Sequence, residues 1–575
     1  MAYQLSPGVN WSEIDLTTIV PTASTTEGAF AGYFEWGPAN MIWTLNNELD
    51  LVRWFGRPTS NSARSEHITS WFTAANFLSY GDNLQLVRVV DTSTANNATN
   101  GMVPVLIENK DEYELNHPVG SANAVGMIAA RYPGDIANGL RVSMWADQDS
   151  VRFNSWEYAD FFNGVTGTSK SVMDKGGSAD EMHIIVVDRF GKFSGGQPNT
   201  VLERFSYVSK ASDAKNEDGS SNYYVDVIRD KSEFIYITNH AQSIGGTTPD
   251  PICNWGNNAQ SIAFTQGNSS YTMELGNGSV GVVSAGDWSS AFDLFNRIDE
   301  IDVSLVMTGN APQAVKQHVI NNVVGDRRDC VAFVSPEYDD AVDNAGQEAT
   351  DIIQHRETFG STSYAVMDSG WKKQFDKYND RFVWVPLNGD IAGLCARTDF
   401  DRDPWFSPAG LNRGIIKNVT KLSWNPAKAE RDMLYKNAIN PVVTFKGEGT
   451  VLYGDKTMLA KPSAFDRINV RRLFIVLEKT IAKAAKYSLF EFNDEFTRAQ
   501  FVALVEPFLR EVKGRRGIFD FKVVCDETNN TPEIIDSNQF IGDIYVKPAR
   551  AINFIQLNFV AVRTGVAFSE IVGKF

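Results

Sequence analysis

The chain has 575 residues, 43% of them hydrophobic and 21% charged, with a formal net charge of −17. That length points to about four domains at ~150 residues each, with room for large apolar cores. The acidic balance argues against a general nucleic-acid binder, which needs a basic footprint, and no apolar run approaches the ~18 residues of a membrane span.

The N-terminus, Met1-Ala-Tyr-Gln-Leu-Ser-Pro7, lacks the basic and apolar regions of a signal peptide, so assembly in cytoplasm is expected. Residues 1–22 read as an extended arm: Ser6-Pro-Gly8 marks a turn, and Val9, Trp11, Ile14 and Leu16 are too few to bury themselves. Dense glycine beside aromatics over 28–38 predicts a strand with close backbone packing, then a turn. Helical patterns at 48–55 and 65–80 stop at Gly56 and Gly81, and a strand follows at 84–90.

Composition changes at Asp91. Thr92-Ser-Thr-Ala-Asn-Asn-Ala-Thr-Asn-Gly101 reads as a linker, and residues to about 286 are rich in turn formers, with strands expected at 181–187, 223–228 and 234–237. Residues 91–286 are therefore read as an independent, mostly β insertion. Beyond it helices at 287–299 and 312–324 alternate with strands at 303–307 and 330–334, and more strands are expected at 364–367 and 382–385. This is the pattern of a layered α/β domain, discontinuous over 23–90 and 287–460.

The last fifth opens with an amphipathic helix over 465–490, where Val470, Leu473, Phe474, Leu477, Ile481, Ala484 and Ala485 fall on one face. A second helix has Asn493 or Asp494 as N-cap and Gly514 as its stop, and Pro507 predicts a kink or early break within it. Strands at 518–525, 540–546 and 551–562 complete an α+β unit. In the last strand Ile555, Leu557, Phe559 and Ala561 share one side, so at least one face is buried. Left exposed such an edge invites aggregation; donated to a neighbouring sheet it supplies main-chain hydrogen bonds.

Charge follows the same division. Residues 461–575 carry 17 Lys and Arg against 14 Asp and Glu, whereas the first 460 carry 36 against 56, so the two parts are expected to face different surroundings. On the helix at 465–490, Arg472, Lys479, Lys483 and Lys486 share a face opposite the apolar stripe. A solvated surface is one meaning of that stripe.

Chemistry-bearing motifs are weak. Gly276-Asn-Gly-Ser-Val-Gly281 has the form G-x-G-x-x-G, but strand-like residues follow it and no helix is expected before about 287, so a glycine turn between strands is favoured over a dinucleotide site. The histidines at 67, 117, 183, 240, 318 and 355 show no metal-type pairing, and Cys253, Cys330, Cys395 and Cys525 read as buried thiols. Asp399-Phe-Asp-Arg-Asp403 reads as a solvated loop rather than a cation site. No catalytic, cofactor-binding or metal residue is assigned, although a cytoplasmic α/β enzyme using residues 287–460 remains an alternative.

Several words in one order do resemble a family. Phe34-Glu-Trp-Gly-Pro38, Leu51-Val-Arg-Trp-Phe-Gly56, Asp390-Ile-Ala-Gly-Leu-Cys-Ala-Arg-Thr398, Ser407-Pro-Ala-Gly410, Asp466-Arg-Ile-Asn-Val-Arg-Arg-Leu-Phe474 and Val523-Val-Cys-Asp-Glu-Thr-Asn-Asn-Thr-Pro532 resemble tail sheath proteins of contractile-tailed bacteriophages. The likeness is strong over residues 1–90 and 287–575 and weaker in the insertion, where Tyr132-Pro-Gly-Asp-Ile136 is its clearest word. It implies an α+β multidomain protein: an N-terminal arm (1–22), an α/β middle domain (23–90 with 287–460), an inserted outer domain (91–286), a tube-facing α+β core (461–550) and a C-terminal strand or arm (551–575).

The resemblance also implies a function. Subunits would stack as hexameric rings around the tail tube and contract to drive the tube through the host envelope for genome ejection. The partners would be other copies of the chain, the tube, the baseplate and the tail terminator, without cofactor, direct nucleic-acid contact or membrane insertion. Arg472, Lys479, Lys483 and Lys486 would face the tube, while Val9, Trp11, Ile14 and Leu16, and Ile555, Leu557 and Phe559, would join neighbouring sheets. Either the strand at 551–562 or only the tail beyond Gly565 is exchanged. The sheath of another contractile injection system is the nearer alternative.

Overall fold

The computed structural model describes residues 25–58, 66–120, 125–241, 253–344 and 346–553. The seven expected arm residues, Val9, Trp11, Ile14, Leu16, Ile555, Leu557 and Phe559, lie outside them. The chain divides into two compact units between Glu491 and Phe492.

The first unit begins with β1 (Gly28–Tyr33), β2 (Ile42–Leu45), α1 (Glu48–Phe55), α2 (Glu66–Leu78) and β3 (Leu84–Val89). The inserted region contributes β4 (Asn97–Thr99), β5 (Ile128–Pro133), β6 (Leu140–Trp145), β7 (Glu181–Asp188), β8 (Thr200–Ser209), α3 (Tyr224–Lys231), β9 (Ile235–Ile237) and β10 (Tyr271–Glu274). After it come α4 (Ala285–Asp293), β11 (Leu305–Met307), β12 (Val331–Val334), α5 (Glu348–Glu357), β13 (Ala365–Met367), β14 (Trp371–Asp376), β15 (Arg381–Pro386) and α6 (Asn388–Asp401). The unit ends with β16 (Lys421–Leu422), the hairpin β17 (Val442–Phe445) and β18 (Gly449–Leu452), and α7 (Ile468–Ala485).

A six-stranded sheet in the order β13-β12-β11-β1-β3-β2 organises this unit. Every neighbouring pair is parallel except β2 with β3. Alternate residues serve opposite cores, as a parallel sheet covered on both faces requires. Phe30, Leu84, Leu86, Leu305, Met307 and Phe333 join α2, α6 and α7 on one side. Ala29, Ala31, Val87, Val306, Ala332 and Met367 join α4, α5 and the helical stretch 313–327 on the other. Two glycines let α2 and α6 approach: a Cβ at Gly389 would stand 2.6 Å from the Thr73 carbonyl oxygen, and one at Gly393 would stand 2.5 Å from the Tyr80 ring.

The inserted region builds its own antiparallel sheets, β10-β6-β7-β8 and β4-β5-β9, around Val142, Met144, Ile184, Val186 and Ile235. It is latched to the large sheet. Trp36, from the loop after β1, packs in that second core with ring centroids 5.2 Å from Tyr132 and 5.0 Å from Phe193. Arg88, at the end of β3, is fully buried and donates to the carbonyls of Phe34, Glu35 and Gly37, and across to Pro133 at 2.7 Å. Burial pulls its pKa down to about 10, yet four carbonyl acceptors keep the guanidinium hydrogen-bonded.

Several local expectations change. Residues 92–101, expected as a linker, carry the buried strand β4, and Asp399–Asp401, expected in a solvated loop, close α6 with the Asp399 side chain buried. Residues 223–228, expected as a strand, open the helix α3; Tyr224, Val225, Val227 and Ile228 are all buried in the insertion's core, and that packing overrides the β propensity of valine and isoleucine. The helix expected at 312–324 runs on to Arg327 through a π-helical stretch, Val319–Val323. In the second unit α8 (Glu495–Gly514) passes through Pro507 without ending. Proline there forfeits one N–H bond, while Phe501, Val505, Leu509 and Val512, buried on both sides of it, hold the helix together. Asp494 is its N-cap, accepting from the Thr497 N–H. The described remainder of that unit comprises the antiparallel pair β19 (Ile518–Val524) and β20 (Asp543–Pro548), joined through a short helix at Pro532–Asp536.

Candidate functional site

The basic helix α7 carries the first group of expected residues. Its N-terminal turns are buried nearly all round, including Ile468, Val470, Arg471, Arg472 and Leu473. The solvated stripe is therefore not one surface. Arg472 is buried, and its guanidinium pairs with Asp399 on α6. Burial opposes its charge, but the Asp399 carboxylate outweighs burial and raises its pKa. Lys479, with only 8% of its side chain exposed, donates to Asp302 at 2.7 Å, the Val303 carbonyl at 2.8 Å and Ser304 Oγ at 3.1 Å. Lys483 reaches the other Asp302 oxygen at 3.2 Å from a half-exposed position. Lys486 is well exposed, 3.8 Å from Asp299. Burial works to raise the Asp302 carboxyl, but the two lysines prevail and hold it below the usual carboxylate range.

The spacing of seven, four and three does place the four residues on one side of the helix. That side meets α6 and the acidic turn at 299–302 before it clears the body, so only Lys483 and Lys486 present charge to solvent. Asp302 and Asp399 were not legible as partners, because each lies at least 73 residues from its cation and nothing local marks the pairing. Arg471 was missed too. It is clamped between the rings of Tyr364 and Phe465, 4.2 and 4.1 Å from their centroids.

The second unit presents a different kind of surface. One helix covers one face of two antiparallel strands, with Phe521 opposite Val546 and Val523 opposite Ile544. Asn530 ties together the two ends of the connection between the strands, donating to the Ile541 carbonyl at 2.8 Å and accepting from its N–H at 2.9 Å. Among the described residues neither strand pairs with a third. Phe519 and Tyr545 are 69% and 60% exposed, and Ile552, just past β20, is more so. A two-stranded ribbon is marginal in water and its open edges are templates for further strands.

The enzyme alternative looks for a ligand crevice at the carboxyl ends of the parallel strands, where strand order reverses beside β1. Between β1 and β11 that place is closed from within: Gly309 exchanges hydrogen bonds with the Asn388 side chain, and Asn310 Oδ1 accepts from the Ser70 hydroxyl. Gly276–Gly281 lies after β10, bridged at Gly276 to Thr99 and at Ser279 to Asn96. The next helix starts only at Ala285, capped by Ser284. No group of three or more His, Cys, Asp or Glu among the described residues is placed to hold a metal ion, and no described helix is long and apolar enough to cross a membrane.

Comparison with known proteins agrees with this geometry. The family profile of the phage tail sheath protein central domain matches residues 281–458, and that of the phage tail sheath C-terminal domain matches residues 460–561. The chain is 36% identical to the tail sheath protein of Vibrio phage KVP40, with 99% of this chain and 100% of that one covered. It is 33% identical to the tail sheath protein of Enterobacteria phage T4, with 99% of each covered. Among solved structures, a sheath tail protein from Desulfitobacterium hafniense shares the fold at a TM-score of 0.51 and 10% identity, covering 95% of this chain and all of the other.

Proposed function

Since the chain belongs to the tail sheath protein family of contractile-tailed bacteriophages, a structural family of the virion tail, we propose that its subunits assemble in the host cytoplasm as hexameric rings stacked around the tail tube. Contraction of the stack, triggered through the baseplate, drives the tube through the host envelope. Head-to-tail contacts generate such helical stacks, and a metastable lattice held by a kinetic barrier needs no nucleotide to release its energy. Lys483 and Lys486 on α7 face the tube, residues 23–90 with 287–460 form the middle of the subunit, and residues 91–286 point outward. The terminator caps the finished stack.

One observation supports this reading: among the described residues the β19–β20 sheet has two strands, while the sequence outside them holds an imperfectly alternating segment at 9–16 and an alternating one at 554–562. Residues 1–22 of one copy and 551–575 of another complete that sheet, supplying the partners its edges lack. The subunits stay joined through these strands while their bodies move. The phage sources of the curated relatives favour a phage over another contractile injection system.

Deleting residues 1–20 tests the coupling. The expected product is a folded subunit, with circular dichroism close to the full chain, that sediments as a discrete particle and builds no tubes. Contractile tubes from the truncated chain would defeat the reading.

A further inference from the structure

We propose that Arg472 and Asp399 grip the root of the N-terminal arm, making Thr25 the fixed point from which residues 1–24 reach a neighbouring subunit. The inference rests on the coupling role of the arm proposed above and assigns the anchor that such a role needs.

Asp399 sits near the end of α6 and Arg472 near the start of α7, and both side chains are almost wholly enclosed. Between them they hold Thr25 twice. Its hydroxyl donates to Asp399 Oδ2 at 2.6 Å, and its carbonyl oxygen accepts from an Arg472 Nη at 3.4 Å. The other Arg472 Nη reaches the Cys395 carbonyl at 3.4 Å, so the guanidinium is seated on α6 as well. Only Thr26 and Glu27 separate this grip from β1. The Glu27 carbonyl accepts from the N–H groups of Ser304 and Leu305, and the Gly28 N–H donates to the Asn83 carbonyl at 3.1 Å.

A strand held by another subunit pulls on the chain at its root. Without a hook, that pull falls on the first hydrogen bonds of β1, and a strand loaded from its end peels one bond at a time. The ion pair moves the load sideways, onto two helices of 14 and 18 residues packed in the main core. Isolated buried charges are costly unless paired and hydrogen-bonded. Here a matched pair spends its hydrogen bonds on the segment that leads into β1. Arg472 is thus a positioning residue for the arm, not a tube-facing one.

Hydrogen exchange of the full-length subunit before polymerisation tests this directly. Thr25→Val removes the hydroxyl at nearly constant shape, and the double change Asp399→Leu with Arg472→Met removes the pair without leaving a lone charge. Both should speed exchange at amides 25–29 roughly five- to tenfold, the effect of losing about one net hydrogen bond from a local opening. Exchange in β11 and β12 and the unfolding temperature of Thr25→Val should not move, and Thr25→Ser should behave like the parent. Unchanged exchange at 25–29 in Thr25→Val overturns the anchor, as does a rise spread evenly over the sheet. Should the double variant fold poorly, Thr25→Val against Thr25→Ser still decides. Failure of the arm's coupling role appears elsewhere, as normal tubes from the chain lacking residues 1–20.

Discussion

Replacing residues 92–283 with a short Gly/Ser linker tests how the insertion is joined to the body. A self-contained outer domain could be removed without consequence, but the latch predicts a cost. Trp36 would pass from 3% exposure to open solvent, a loss of about 1.5–3 kcal/mol for a large apolar side chain. Arg88 would lose its Pro133 acceptor, and a hydrogen bond to a charged group contributes about 1.5–3 kcal/mol, less whatever water returns. The Arg53–Glu233 pair is exposed and adds about 0–1 kcal/mol. Together these amount to roughly 3–7 kcal/mol against a typical stability of about 5–15 kcal/mol. Cutting at 283 keeps Ser284, which caps α4 through reciprocal bonds with Asp287, so the cap does not confound the result. Urea unfolding should show a folded but clearly weakened body, and Trp36→Ser in the excised chain should restore solubility without restoring stability. An excised body within about 1 kcal/mol of the intact one would refute the latch.

Other variants separate internal ion pairs from surface charge. Lys479→Met should lower subunit stability by about 1–3 kcal/mol, read by urea unfolding, whereas Lys486→Glu should leave it within about 0.5 kcal/mol and weaken assembly on tubes most at low salt. Burial pushes the Asp368 carboxyl up to about 7 from its ordinary 3.8, despite bonds from Ser335 and Gly370. The folded state then keeps a proton that the unfolded chain has lost, so this group's contribution declines as pH rises from about 4 to 7. Asp368→Asn should flatten that slope in urea midpoints and raise stability at pH 8; an unchanged slope would contradict the assignment. Gly389→Ala should cost about 1–3 kcal/mol by forcing α6 off α2, visible as a lower melting temperature.

Local signals made much of the fold readable. Gly56, expected as the stop of the helix at 48–55, ends α1, and the alternation of helix and strand after residue 287 foretold the strands β11, β12 and β13. Tyr223-Tyr-Val-Asp-Val-Ile228 misled because its period-two apolar pattern is also what a short helix shows when buried on most sides. The charged stripe on α7 misled for a related reason. Helical spacing says which residues share a side, but only the tertiary arrangement says that α6 and the 299–302 turn cover most of that side. The latch of Arg88 and Trp36, and the grip on Thr25, join segments 45 to 447 residues apart and leave no mark in the local pattern.

The sharpest test of the account is a reconstruction of the polymer by electron microscopy, resolved well enough to trace the strands beside β19 and β20. The account predicts a sheet enlarged by main-chain pairing with residues 1–22 of one neighbouring subunit and residues 551–575 of another. A sheet that remains two-stranded in the polymer, or is completed only by its own chain, would contradict it.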